Sequence, residues 1–548
     1  MGDARRILGA SGPFATQIDS YQSRVGQLEV ADAVERIMSD DGVLLCEAGT
    51  GIGKTFAYLV PALLSGRKVV ISTATKALQD QIAERDLPLV QSILQTDVRV
   101  AVMKGLGNYL CRRRYREFFL SPEALDQNFS RDLEEVKKFA ESTQSGELVE
   151  LRRIRESAPI LTRVNSSSET RIGAQCPYFN DCWVTKMKQA AEAAQIVIVN
   201  HHLFFADLSL RGPHPGRVLP DYDAVILDEA HQVEDTAALF FGLRLSESQI
   251  DRLVRDSGRL LNRVRRGSAA EKKAGVSPVV ELARQAKERL FDALRKAFPP
   301  GRHVLNREHF LGGHKASWEN LLAQLDALGQ TARAWQRDVE ESDERESLEQ
   351  LYRRAAQAEE GFRGIIDGQE GRVTWLENIS GKLSLSSTPV DMSLLLRDRL
   401  FDDIPAVALV SATLSTSERR ASDQAAKKKN GLPGFRFVRA RLGVEEPALE
   451  LQVDSPFSYQ EHCLLYTPQD LPEPRDPQYL EAAAERAWQL IDAADGGAFV
   501  LTTSHQAMRF FHSYLESKVP RGDLFCQGEA PKDQLLNQFR ATTSSTLV

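Results

Sequence analysis

The chain has 548 residues, 42% hydrophobic and 26% charged, with a formal net charge of −7. At about 150 residues per domain this leaves room for three or four domains with ample core. The acidic balance excludes a uniformly basic nucleic-acid coat, so any such site must be a local patch or groove.

Residues 1–25 hold no apolar core of signal-peptide length. Arg6 stands where N-myristoylation needs Ser or Thr. No run approaches about 18 apolar residues, so no membrane span is expected. Six cysteines in a long chain without a secretion signal read as cytosolic thiols or metal ligands. These features predict a cytoplasmic protein with no membrane partner.

In chain order, residues 1–20 are polar and contain glycine, and predict an irregular lead-in. Tyr21–Gln27 precedes a helical pattern, LEVADAVERIM. Gln27 lies about one helix upstream of a small-residue loop, where an amide can read the donor and acceptor edge of adenine. Val43–Leu45 reads as a buried strand, followed by CEAGTGIGKTFA at 46–57 and a helix start. Strand, small-residue loop, Gly-Lys-Thr and helix are the context a phosphate-binding loop requires. Ala48, Gly49, Thr50, Gly51, Ile52 and Gly53 would frame the phosphates, Lys54 reach the terminal ones, and Thr55 hold Mg²⁺. Ala48 takes a first position that the strict pattern gives to Gly.

Lys68–Thr73 reads as a second strand, then a helix, KALQDQIAERDL, then a third strand in 98–105. Strands alternating with helices imply a parallel sheet, with ligands at the carboxyl ends of its strands. Residues 106–195 break the rhythm. Cys111 is followed by Arg-Arg-Arg-Tyr-Arg, and Cys176 and Cys182 bracket Pro-Tyr-Phe-Asn-Asp. Ile196–Val199 returns to strand and ends in Asn200-His201-His202. The run Val225–Leu227 ends in Asp228-Glu229-Ala230-His231. There Asp228 can hold Mg²⁺ through water, and Glu229 can orient and deprotonate an attacking water.

Residues 243–375 are strongly helical, with apolar residues recurring at three and four. Trp318, Trp335 and Trp375 read as core rather than as base-stacking platforms. Ala406–Val410 is a strand ending in Ser411-Ala412-Thr413, and Lys427–Gly431 reads as an exposed turn. After Ser455-Pro456-Phe457 and a proline-rich link come a helix, a strand at Ala498–Thr502, and a final strand-like run, STLV. This opens a second α/β domain in a segment shorter than the usual ~100–150 residues.

Together these residues resemble superfamily 2 DNA helicases of the XPD/DinG type with an iron–sulfur insert, nearest the bacterial YoaA-like branch. The resemblance is carried by RVGQ at 24–27, AGTGIGKT at 48–55, ISTATKALQDQ at 71–81, KGLGNYLC at 104–111, CPYFNDC at 176–182, VNHHLF at 199–204, DEAH at 228–231, SATL at 411–414 and SPF at 455–457. It implies an α/β fold: a RecA-like parallel-sheet motor domain with an iron–sulfur-type insert and a helical arch insert, plus an incomplete second RecA-like domain. Motor domain 1 would occupy 1–102, 196–235 and 386–418, the cysteine insert 103–195, the arch 236–385, and the start of motor domain 2 419–548.

The implied activity is ATP-dependent unwinding of DNA with 5′-to-3′ polarity, using ATP and Mg²⁺ on single-stranded or forked DNA, among replication and repair proteins. By the same resemblance Gln27 reads adenine, Lys54, Asp228 and Glu229 carry hydrolysis, and Thr55 and Asp228 hold Mg²⁺. Thr73, Thr75, Lys76, Gln79, His231, Ser411 and Thr413 touch DNA or couple it to the ATP site. Cys111, Cys176 and Cys182 are the cluster ligands.

Two departures matter. The family's second cysteine position, about five residues before the third, holds Arg171, and an iron–sulfur cubane takes four thiolates. The cluster is therefore absent, labile or three-cysteine-ligated, with zinc a further alternative. Nor does a Gln-x-x-Gly-Arg-x-x-Arg run occur. Its arginines reach the transition-state phosphate, and an arginine finger is worth about 10³–10⁵ in rate. The expectation is a C-terminally truncated chain that binds ATP and DNA, hydrolyses ATP poorly and does not unwind processively.

Overall fold

The computed structural model describes residues 2–151, 153–155, 158–211, 216–267, 276–368, 371–416, 433–520, 522–530 and 532–548. Its residues divide into two compact units, Met1–Phe457 and Ser458–Val548. In chain order the strands of the first unit begin with β1 (Gly42–Ala48), β2 (Val69–Thr73), β3 (Val100–Val102), β4 (Ile196–Asn200) and β5 (Ala224–Asp228). They continue with β6 (Leu243–Ser246), β7 (Gly301–Val304), β8 (Arg372–Ile379), β9 (Lys382–Pro389), β10 (Ala406–Ser411) and β11 (Ala448–Val453).

Seven of these form one all-parallel sheet in the order β11-β1-β10-β5-β2-β4-β3. Its inner strands are continuous apolar runs because both faces are covered. Alternate residues feed opposite cores. Leu44 and Cys46 join Val30, Val34 and Tyr58 on one face, whereas Leu45 joins Val70, Val225, Leu227 and Leu409 on the other. Cys46 lies beside Val410, and Val410 beside Asp228. The phosphate loop after β1 and the acidic turn after β5 therefore stand at the same edge, with β10 between them.

The irregular lead-in expected for residues 1–20 is replaced by two helices, α1 (Asp3–Leu8) and α2 (Pro13–Gln17). Ala4, Ile7, Leu8 and Phe14 are buried in the first core. Positions 4, 7 and 8 form a helical stripe only two turns long, too short for periodicity to stand out, and Pro13 begins α2 where a missing N–H costs nothing. Then come α3 (Val25–Asp40), α4 (Lys54–Leu64) and α5 (Lys76–Gln81).

The cysteine insert has its own small core, including Val136, Ile160, Val164 and Trp183. In the arch region, four helices (Glu247–Gly267, Val276–Ala297, Arg307–Gln336 and Ser342–Asp367) cover an antiparallel sheet of order β6-β9-β8-β7. The helices match the sequence reading; the sheet was not part of it. Trp318 and Trp335 are buried in this core. Trp375 lies on β8 with the Arg302 guanidinium 5.3 Å from its ring centroid.

β11 also departs from expectation, because it completes the first sheet although the motor-domain boundary was placed at 418/419. Pairing along the whole of β1 moves the division between compact units to Phe457/Ser458. The second unit holds β12 (Ala498–Phe499), β13 (Leu524–Phe525) and β14 (Thr546–Leu547), parallel in the order β12-β14-β13. The Lys427–Gly431 turn lies outside the described residues. Among those residues no helix is long and apolar enough to cross a membrane.

Candidate nucleotide and coupling site

The loop after β1 is held open by backbone geometry. Gly51 and Gly53 have φ of 84° and 86°, a region that side chains disfavour. A Cβ on Gly51 would meet the Phe457 ring, and one on Gly53 the Gln27 amide. α4 starts at Lys54 with Gly53 as its N-cap, so the unpaired N–H groups of its first turn face the loop. Lys54 Nζ donates to the Ala48 carbonyl at 3.0 Å. Arg24 donates to the Gly51 carbonyl, and Ser455 Oγ to that of Thr50 at 2.8 Å.

Gln27 is 3% exposed. Its Nε2 donates to the Gly53 carbonyl at 3.1 Å, and its Oε1 accepts from the Tyr21 hydroxyl at 2.6 Å. Each end of the amide makes one bond to a protein group, so Gln27 braces the loop from behind while keeping one N–H and one lone pair.

β5 is buried along its length and ends at Asp228. Asp228 Oδ1 accepts from the Glu229 N–H at 3.1 Å, and Oδ2 from the Tyr58 hydroxyl at 3.2 Å. Burial first, and the neighbouring Glu229 charge second, push the Asp228 carboxyl from 3.8 up to about 6, against the pull of Tyr58 and Lys54. Tyr58, one turn after Thr55, thus ties α4 to the acidic turn across the width of β10. Tyr58 was not singled out from sequence. The available signal was its place one helical turn after Thr55, on the same side of α4.

Glu229 has a φ of 59°, a left-handed conformation that costs a non-glycine residue about 1–3 kcal/mol. Its Oε2 lies 3.4 Å from His231 Nδ1, which lies 3.0 Å from Ser411 Oγ. Ser411 Oγ in turn accepts from the Thr413 N–H at 3.3 Å. A second link was also missed. The Glu47 carboxylate at the end of β1 accepts from the N–H groups of Leu414 and Ser415, both at 2.6 Å, and from Gln452 Nε2 at 2.9 Å. Burial alone would raise its pKa, but these donors outweigh it and hold the carboxyl below the ordinary glutamate value.

The residues expected to meet DNA divide in two. Thr75, Lys76 and Thr413 are exposed. Thr75 Oγ1 caps α5 by accepting from the Leu78 N–H at 3.2 Å, and Lys76 Nζ donates to Asn108 Oδ1 at 2.6 Å. Thr73 and Gln79, by contrast, are fully buried. Gln79 Nε2 donates to the carbonyls of Met103 at 2.8 Å and Ile198 at 3.0 Å. One turn after Lys76, its position on α5 faces the sheet, so it clips the ends of β3 and β4 together instead of reaching outward.

Residues 29–139 match the family described as DEAD/DEAH box helicase. The ATP-dependent DNA helicase YoaA of Haemophilus influenzae is 30% identical over 553 residues, covering 99% of this chain and 80% of that protein. The chain belongs to the YoaA/DinG family. YoaA of Escherichia coli is also 30% identical, over 546 residues, covering 98% of this chain and 80% of that protein. The ATP-dependent helicase DinG of Mycobacterium tuberculosis is 27% identical over 553 residues, covering 96% and 77%.

Within this YoaA/DinG chain the insert's donor set does not fit a four-thiolate cluster. Arg171 Nη1 donates to Cys182 Sγ at 3.2 Å. A guanidinium has no lone pair to offer a metal, and here it is seated on one of the thiols. Burial would raise the Cys182 thiol, but the Thr185 N–H and Arg171 outweigh it and hold it below its ordinary value. Burial instead raises Cys176. Among the described residues, no group of three or more His, Cys, Asp or Glu converges as a metal site.

Proposed function

We propose that this chain is an ATP-driven DNA helicase of the YoaA/DinG kind, coupling hydrolysis to movement along single-stranded DNA. One observation carries the reading: the Tyr58–Asp228 hydrogen bond, which ties the helix that follows the phosphate loop to the acidic turn across an intervening strand. The N–H groups at the start of α4 and Lys54 would bind the ATP phosphates. Thr55 and Asp228 would hold Mg²⁺, which supplies charge neutralisation at the phosphates when bound. Glu229 orients a water and takes its proton as the water attacks the terminal phosphorus, breaking the bond to ADP. His231 passes the state of Glu229 to Ser411 and so to Thr413. Thr75 and Lys76, exposed on the same edge, track the strand backbone. The 5′-to-3′ polarity, a forked substrate and repair or replication partners follow the resemblance.

The test is ATP hydrolysis with and without a thymidine oligonucleotide. The expected result is DNA-stimulated turnover that falls at least about 100-fold in Glu229→Gln, as for loss of a general base, with nucleotide binding retained. Lys54→Ala should lose nucleotide binding as well. Hydrolysis indifferent to DNA and to both substitutions would overturn the reading.

A further inference from the structure

His201 opens the helix His201–Leu210 immediately after β4. It is 1% exposed, and its Nδ1 lies 2.7 Å from the hydroxyl oxygen of Ser72, itself fully buried near the end of β2. The other ring nitrogen is buried with no hydrogen-bond partner, near the main chain of Asp228 and Glu229. β2 lies between β4 and β5, with Ser72 beside Val199 on one side and Leu227 on the other. The imidazole therefore spans from the strand that leads into Thr75 and Lys76 to the turn that carries the catalytic acids.

Burial keeps this ring neutral near pH 7, so it has one N–H and one lone pair. If the Ser72 hydroxyl donates to Nδ1, the proton sits on Nε2, aimed at the acidic turn. Sheet pairing does not make this link, because β2 and β5 are registered only as far as Ser72 and Leu227. Beyond that point the two turns meet through the His201 ring.

We propose that His201 is a positioning residue that transmits displacement of the Ser72–Lys76 segment to the left-handed turn at Glu229, so that DNA at the first adjusts the aim of the second. The proposal rests on the reading that Thr75 and Lys76 meet DNA. Loss of the Ser72–His201 bond should therefore leave unstimulated hydrolysis intact and lower its stimulation by DNA.

The experiment compares the full chain with Ser72→Ala, His201→Gln and the double variant. It measures hydrolysis with and without a thymidine oligonucleotide, oligonucleotide affinity and thermal stability. Ser72→Ala nearly conserves volume and keeps the comparison available if His201→Gln folds poorly. The expected result is basal turnover within about two-fold of the parent and unchanged oligonucleotide affinity. The stimulation ratio should be about five-fold lower, the size of one neutral buried hydrogen bond. The double variant should be no worse than the single ones, since both break the same bond. An unchanged stimulation ratio in Ser72→Ala and His201→Gln overturns the proposal. So does an equal loss of basal and stimulated rates, which marks a purely structural role. A parent chain with no DNA stimulation overturns the underlying functional reading, and the proposal with it.

Discussion

Tyr58 has the most consequential side chain that no motif announces. Its hydroxyl donates to Asp228 and so offsets part of the burial that leaves this carboxyl raised to about 6. Tyr58→Phe removes that donor. The Asp228 pKa should then rise further, and Mg²⁺-dependent nucleotide binding should fade at a higher pH than in the parent. Titrating nucleotide affinity against pH at fixed Mg²⁺ checks this, and a superimposable pair of profiles would exclude the link. The loss of one hydrogen bond to a charged group should also cost about 1–3 kcal/mol of stability.

Asp228 itself makes a prediction whose sign can be worked out. Its folded pKa exceeds its ordinary value of 3.8, so the folded chain holds the proton more tightly than the unfolded one. That contribution is full below about pH 4 and is lost as pH rises through about 6. Without nucleotide or Mg²⁺, Asp228→Asn should therefore stabilise the protein at pH 7.5 by up to about 3 kcal/mol. The gain should shrink at pH 4.5, and hydrolysis should be abolished at any pH. Denaturant titrations at the two pH values give the comparison.

At the scale of elements, the cysteine insert has an apolar core of its own. Its core of Val136, Ile160, Val164 and Trp183 is closed, and the loop carrying Arg171 is pinned from the long helix Ser342–Asp367. There Gln350 donates to the Arg171 carbonyl, and Arg354 pairs with Glu169 at 3.2 Å. Arg171→Cys restores a fourth thiol on that pinned loop. Reconstituted anaerobically, this variant should take up iron and show a broad visible absorption, whereas the parent should not. Stoichiometric iron in the parent, with stable colour, would contradict the reading of Arg171 as a replacement for a ligand.

What could be read from sequence tracks how local each element is. The loop at 48–55 and the turn at 228–231 were legible because a few consecutive residues dictate their backbone. Tyr58 and Glu47 were not, because their partners lie 170 and 367 residues away. The helices at Asp3–Leu8 and Pro13–Gln17 show too few turns to display a period. The arch sheet escaped notice because β6 and β7 are four residues each, and helix periodicity dominates around them. The burial of Gln79 was not legible, because its place in a motif says nothing about which side of α5 faces the sheet.

For the whole molecule, protection from hydrogen exchange should follow burial and pairing. The amides of β1, β5 and β10, flanked by paired strands on both sides, should exchange last. Residues 464–475 should exchange fastest among the described segments between helices. They have no regular structure and few backbone hydrogen bonds, and Leu464 and Leu465 are 93% and 84% exposed. Mass-resolved exchange of the intact chain measures both. Slow exchange across 464–475 would mean that this stretch is structured in solution.

β10 contributes no group to the nucleotide, yet its alignment decides whether the two halves of the site can work as one. Its last residue engages His231, and the turn beyond it hangs on Glu47. Because a strand presents alternate residues to opposite faces, a slip of a single position would put Val410 where Ser411 belongs. An inserted or deleted residue in the lead-in at 402–405 would thus act like a mistimed gear: every recognised signature intact, and the machine idle.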